Sequence, residues 1–182
     1  VAYVKANKDK LNMGNAGLGA ASHLCGLLFM SRIQADIQTI PYTGTGPAMS
    51  ALMGNQIDLM CDQTTNTTAQ IEGKKVKAFA VTTPKRLTTP ALKDLPTLEE
   101  SGLKNFQVTI FHGLYAPKGT PADIVKVIET AFVKAINSAE MREKMDAVGL
   151  ALKPMVGAEY AKYYADTQAQ AKKYTEWALK QR

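Results

Sequence analysis

Apolar and polar positions along the chain switch between a period of two and a period near 3.6, and the switching predicts a succession of strands and helices. Residues 1–9 read as a helical end, broken around Asn7, Lys8 and Asp9. Leu11-Asn12-Met13 alternates as a short strand and runs into a glycine-rich turn, Gly14 to Ser22. A helix is predicted over 20–34, with Leu24, Leu27, Leu28 and Ser31 on one face. Residues 37–40 predict a second strand. The turn Pro41-Tyr42-Thr43-Gly44-Thr45-Gly46-Pro47 follows, and Pro47 suits the first turn of a helix running through Met53. Gly54-Asn55 ends that helix, and an apolar strand over 57–61 delivers Asp62 at its C-terminal end. Strand, glycine loop and helix, repeated in this order, imply an α/β protein with a mainly parallel sheet and helices on its faces.

The second half is less regular. A helical turn over 67–72 and a strand over 76–81 lead into a connection punctuated by Pro84, Pro90 and Pro96, which marks a crossing between lobes or a long surface loop. Residues 106–116 are the longest β-like run, with Gly113 as a bend or hinge. Thr120, Pro121 and Asp123 supply an N-cap, a first helical residue and a first-turn acid. The helix they open carries Ile124, Val127, Ile128, Ala131 and Ala135 as a stripe expected to be buried. A short helix after Ser138 ends at Gly149, and 150–152 can form an edge strand. The last helix, 158–180, places Tyr160, Tyr163, Tyr164, Thr167, Ala171, Tyr174 and Ala178 near one face, which reads as packing surface.

Net charge is +6, but the 22 basic residues are dispersed, with no basic arm and no basic strip interleaved with aromatics. That argues against nucleic acid as a partner and leaves a weak field attracting small anions. No apolar run approaches the roughly 18 residues of a membrane span, and no leader is visible. The chain opens at Val1 inside a helical pattern, so it reads as a fragment or a processed piece. Cys25 and Cys61 each lie in apolar surroundings, consistent with two small buried hydrophobes or with a pair formed in an oxidising compartment. Two distant histidines and no C-x-x-C make a metal site improbable, and no cofactor motif is present. Ser22 and His23 are adjacent, so a helix points them apart, and no acid–base pair can be argued from spacing. The expectation is that the chain is not an enzyme.

The glycine turn is where binding chemistry concentrates. The first N–H groups of a helix lack internal partners and carry the positive end of the helix dipole, so a strand-to-helix glycine turn suits a carboxylate or a phosphate. Neither G-x-G-x-x-G in register nor G-K-[ST] is present. Ligands of open α/β sheets sit beyond the carboxyl ends of the strands. Three polar loops meet that description, at 15–22, 42–46 and 62–68. Asp62 either caps the segment that follows it or accepts a hydrogen bond from a ligand or its bridging waters.

The ordered motifs resemble a known family. They are Gly14-x-x-Gly17-x-Gly19-x-x-Ser22-His23-Leu24, Pro41-Tyr42-x-Gly44-x-x-Pro47-Ala48, and Gln56-Ile57-Asp58-Leu59-Met60 with Asp62. Ala80-Val81-Thr82 with Lys85-Arg86, Leu95-Pro96-Thr97 with Glu100 and Gly102, and Gly113-Leu114-Tyr115-Ala116-Pro117 with Gly119-Thr120-Pro121 complete the set. Together they are similar to the solute receptors of tripartite tricarboxylate transporters, the TctC or Bug family. The resemblance implies a periplasmic-binding-protein type II-like fold, two lobes with a cleft. It implies a periplasmic receptor for a small organic carboxylate (a di- or tricarboxylate, an aromatic acid or an acidic amino acid). Such a receptor is not itself membrane-spanning and delivers its ligand to membrane permease subunits.

On this resemblance residues 1–104 form the second lobe, and 105–182 the hinge strand and the C-terminal part of a first lobe that is incomplete in this chain. The family's carboxylate site maps onto Asn15, Ala16, Gly17, Leu18, Gly19, Ala20, Ala21 and Ser22, supported by Tyr42, Thr43 and Asp62 and by Thr109, Phe111 and His112 of the cleft segment. Family members often carry a hydroxyl where this chain has Ala20, a loss of one hydrogen bond worth about 0.5–1.5 kcal/mol. They also often carry an aromatic pair or tryptophan near Phe111-His112. His112 supplies either a donor for a second carboxylate or a hinge-region side chain. The ligand-sensing effector domain of a LysR-type regulator shares the architecture and is the alternative.

Overall fold

Three short strands form a parallel sheet of order β2-β1-β3: β1 (Asn12–Asn15), β2 (Gln38–Pro41) and β3 (Leu59–Met60). The computed structural model describes residues 1–150 and 152–180. Residue 151, inside the strand expected over 150–152, lies outside the described residues, as do the side chains of Tyr174 and Ala178 in the expected C-terminal stripe. In register, Met13 faces Thr39 and Leu59, and Gly14 faces Ile40 and Met60. The connections run through α2 (Ala21–Ile33) and α3 (Thr45–Met53), as the βα succession requires, after a short α1 (Ala2–Ala6). Beyond β3 come α4 (Thr64–Glu72), α5 (Ala122–Ile136), α6 (Ala139–Ala147) and α7 (Gly157–Lys180).

The core forms around α2. Met13, Met30, Ile33, Ala35 and Ile37 make one buried cluster, and Cys25, Leu28 and Phe106 make a second. The expected stripe is corrected here: Leu24, Leu27 and Ser31 are half-buried, whereas Ser22, His23, Met30 and Ile33 are buried. The reason is that α2 is covered on several sides, by β1, by the Phe106 segment and by α7. Gln34 closes the helix in the left-handed region, its N–H returning to Met30 and Ser31 carbonyls. β3 is brief, and its pairing with β1 is extended by reciprocal bonds. The Asn12 N–H donates to Asp58 Oδ2 (2.9 Å) and the Asp58 N–H to Asn12 Oδ1 (3.1 Å).

Cys25 and Cys61 are joined in a disulfide, with Cα atoms 6.1 Å apart across 36 residues of sequence. In the chain-entropy treatment, closing a loop of that length stabilises the fold by about 4 kcal/mol. The pairing decides between the two alternatives that the sequence leaves open.

Two expected strands are absent. Residues 76–80 form no ladder; Val81 alone bridges Thr97, its N–H donating to the Pro96 carbonyl (2.9 Å) and its carbonyl accepting from Leu98 N–H (2.9 Å). In 106–116 the backbone tie is at Val108, which donates to the Thr82 carbonyl (3.1 Å) and accepts from the Thr82 hydroxyl (2.7 Å). A β-prone run becomes a strand only where a neighbour completes its hydrogen bonds, and the described residues supply none for 109–116.

The proline-rich connection ends in a capping box. Thr97 N–H donates to Glu100 Oε2 (2.8 Å), Glu100 N–H donates to Thr97 Oγ1 (3.0 Å), and Arg86 Nε reaches both Glu100 oxygens at 3.1 and 2.9 Å. The family-like positions Arg86, Thr97 and Glu100 are therefore joined in one structural unit.

α5 forms where expected, but Pro121 rather than Thr120 is its N-cap, because the Thr120 hydroxyl donates back to the Pro117 carbonyl (2.8 Å). Its stripe is not buried: Ile124, Val127 and Ile128 are 47%, 68% and 42% exposed. The periodicity is right, but no described element covers that face. α6 is capped by Ser138, which accepts from Met141 N–H, and its C-terminal end is tied to α4 by Thr64 Oγ1 donating to Gly149 O (3.0 Å). The packing role expected of the α7 aromatics holds, with Phe111 edge-on to Tyr160, Tyr163 and Tyr164 at 6.2, 5.3 and 6.1 Å.

Candidate functional site

Asn15, 2% exposed at the end of β1, organises the glycine turn from below. Its carbonyl accepts the Tyr42 N–H (2.9 Å) and its Oδ1 accepts the Gly17 N–H (3.0 Å). Gly17 and Gly19 sit at φ +116° and +81°, where a side chain would be strained, so these two glycines serve the turn. Gly14 does not. It belongs to β1, where a Cβ would overlap Ile57 Cδ1.

The turn satisfies much of its own hydrogen bonding. Ser22 Oγ accepts from Ala16 N–H (2.9 Å), His23 Nδ1 accepts from Gly19 N–H (3.1 Å), and the Ala20 N–H donates to the Gly17 carbonyl (3.1 Å). The amides of Ala16, Gly17, Gly19 and Ala20 are thus already engaged, which narrows the expected anion grip. The amides that precede the first intrahelical bond of α2, Leu24 N–H to the Ala20 carbonyl, are those of Ala21, Ser22 and His23. Ala20 is the N-cap and has no side chain to fill that end. A residue that looks like a loss in sequence therefore leaves the helix terminus open.

Asp62 follows β3. Its Oδ1 accepts from Gln63 N–H (2.8 Å) and from Asn66 Nδ2 (3.4 Å), and the Thr45 side chain at the start of α3 is near enough to help hold the carboxyl's pKa down. Oδ2 is buried and has no hydrogen-bond partner among the described residues. Burial pushes the Asp62 carboxyl above the ordinary aspartate value, against the opposing effect of those hydrogen bonds. Of the two roles open in sequence, Oδ1 takes the bracing one, at the start of α4.

Ala21, Ser22, Asp62, Thr109, Phe111 and His112 are all among the residues that line the wall of a cavity of about 860 Å³. Thr109 and His112 are exposed at its edge, and Phe111 is half-buried among the tyrosines of α7. Asn15, Ala16, Gly17, Leu18, Gly19, Ala20, Tyr42 and Thr43 are not in that wall. Asn15 is turned into the fold, Leu18 is 71% exposed at the loop tip, Tyr42 packs beside Gly14, and Thr43 faces solvent. Thr45 and Asn66 were missed by the sequence reading. The available signals were the hydroxyls of the 41–47 turn and the four-residue spacing from Asp62 to Asn66. Among the described residues no cluster of three or more His, Cys, Asp or Glu is placed to hold a metal. None of the described helices is long and apolar enough to cross a membrane.

The overall fold resembles those of solved periplasmic binding proteins. The periplasmic binding protein BugD aligns with a TM-score of 0.85 and 45% identity, covering 98% of this chain and 59% of BugD. MatC from Rhodopseudomonas palustris, solved with bound malate, aligns with a TM-score of 0.84 and 32% identity, covering 97% of this chain and 60% of MatC. The fold is accordingly α/β of the periplasmic-binding-protein type. The tripartite tricarboxylate transporter family receptor, TctC, matches residues 1–177, and the chain belongs to that family. A relative from Agrobacterium vitis, the UPF0065 protein in the TAR-I ttuE-ttuC' intergenic region, is 45% identical over 149 residues, which are 82% of this chain and 42% of the relative. The chain thus spans less than half the length of that relative. The family is one of substrate-binding receptors, not enzymes.

Proposed function

We propose that the chain is the carboxylate-binding part of a periplasmic solute receptor, which holds a small organic acid for the permease subunits of a tripartite tricarboxylate-type transporter. The observation that carries the reading is that the open N-terminus of α2 and Asp62 line the same cavity. The amides of Ala21 and Ser22 and the Ser22 hydroxyl donate to a carboxylate, and Asp62 Oδ2 accepts from the ligand or from a water bridging to it. The malate bound in MatC supports this class of ligand, which includes di- and tricarboxylates, aromatic acids and acidic amino acids. Thr109, Phe111 and His112 contribute from the cleft segment. Residues 15–20 form the turn itself, with Tyr42 packed beside Gly14 and Thr43 on the solvent side.

The same reading divides the chain into residues 1–104 as the second lobe and 105–182 as the hinge segment and C-terminal part of the first. It is supported by the uncovered apolar face of α5. Family membership favours a receptor over the LysR-type effector domain. The disulfide suits an oxidising compartment and supports a periplasmic location.

Calorimetric titration of the full-length protein with malate, other di- and tricarboxylates, aromatic acids and acidic amino acids tests the proposal. Saturable binding of at least one acid, weakened by proline at Ala21 or Ser22, is expected. Binding of neutral sugars alone would refute it.

A further inference from the structure

We infer that the Cys25–Cys61 disulfide is a positioning element of the carboxylate site, acting through Asp62; the inference rests on the receptor reading above. Cys25 lies on α2 four residues after Ala21 and three after Ser22, on the turn directly below the open amides. Cys61 is the residue before Asp62. Both cysteines share the cavity wall with Ala21, Ser22 and Asp62, so the disulfide spans the gap between the two halves of the site.

The rest of the structure leaves that span weakly determined. β3 is two residues long, lies at an edge of the sheet, and has two register pairs with β1. The Asn12–Asp58 bonds fasten the segment ahead of β3, not the end that carries Asp62. The Asp62 carboxyl is held by Gln63 and Asn66, which belong to its own segment and move with it. None of these bonds connects Asp62 to α2. The disulfide makes that connection covalently, and a preorganised site binds more tightly because less ordering remains to be done when the ligand arrives.

The test is a cycle of variants in the full-length protein, titrated with L-malate, or with the tightest acid of the panel if malate is silent. The pair Cys25→Ser with Cys61→Ser is expected to weaken binding at least tenfold. In an Asp62→Asn background the same pair is expected to change Kd less than twofold, because the group being positioned is gone. Thermal stability should fall with the cysteine pair in both backgrounds, which is the readout of a purely structural staple. If the serine pair does not fold, Cys25→Val with Cys61→Ala refills the buried volume and takes its place. Wild-type affinity in the cysteine variants, or an equal loss in both backgrounds, overturns the inference alone. Failure of the unaltered protein to bind any acid overturns the receptor reading and this inference with it.

Discussion

Replacing Gly14 with alanine probes the centre of the sheet. Gly14 lies in β1 between Ile40 of β2 and Met60 of β3, and Ile57, 2% exposed, crosses over it. An added Cβ would overlap Ile57 Cδ1, while the next nearest atoms, Ile57 Cγ1 and Tyr42 Cε2, both stand at 3.5 Å, an ordinary contact. The clash is thus confined to one methyl group. Overpacking of a closed core costs about 1–3 kcal/mol, and restricting the unfolded chain by a Gly→Ala change returns about 0.4–1 kcal/mol. Gly14→Ala should therefore be destabilising on balance.

Ile57→Val removes the clashing atom and by itself costs about 0.5–1.5 kcal/mol. In the double variant the alanine methyl occupies the vacated space, so its stability should match Ile57→Val alone, giving a favourable coupling on the order of 1–2 kcal/mol. Urea unfolding at unchanged m-value measures all four proteins. Wild-type stability of Gly14→Ala, or a double variant no better than the sum of the singles, would refute the assignment of Gly14 to a packing role.

Three further outcomes follow. Val127→Asp, on the 68% exposed position of α5, should change the stability of the 182-residue chain by less than about 0.5 kcal/mol but destabilise the full-length receptor by more than about 1 kcal/mol. Equal effects in the two proteins would contradict the proposed completion of the first lobe. Asp62 has a folded pKa raised above 3.8, chiefly by burial, so its charge costs stability at higher pH and that cost fades as pH falls through the folded value toward 3.8. Asp62→Asn should accordingly melt higher than the ligand-free wild type near neutral pH, with the difference lost below about pH 3.5. Glu100 has the opposite sign: the Thr97 N–H and then Arg86 hold its carboxyl below 4.5, so its contribution is complete above 4.5 and is lost as pH falls through the lower folded value. Thermal melts of Glu100→Gln between about pH 6 and pH 2 should show a flatter acid limb than wild type.

Much of the first half was legible in residue order. The alternation at 11–13, the glycine turn, the apolar helix ending at Gln34 and the hydroxyl-rich turn before α3 announced a parallel βα unit, and the structure contains it. The helices after residue 120 were equally plain, although the capping role of Ser138 emerged only in the structure. The ordered motifs pointed to the family that residues 1–177 match. Each of these signals is short-range, set by side-chain periodicity, backbone preference and caps within a few residues.

The misses share a different origin. Residues 76–81 and 106–116 have strand composition, but a ladder depends on a partner elsewhere, and none completes it among the described residues. The α5 stripe has the right period but is exposed, because burial depends on what stands opposite. In the candidate site, periodicity could not show that Asn15, Ser22 and His23 use their side chains on the turn's own amides. Nor could it bring Cys25 to Cys61 across 36 residues, or place Thr45 and Asn66 around Asp62. Residue order set which segments turn, coil and carry polar groups at strand ends; packing chose their partners, because burial, ladder pairing and the fate of each hydrogen bond depend on atoms distant in the chain.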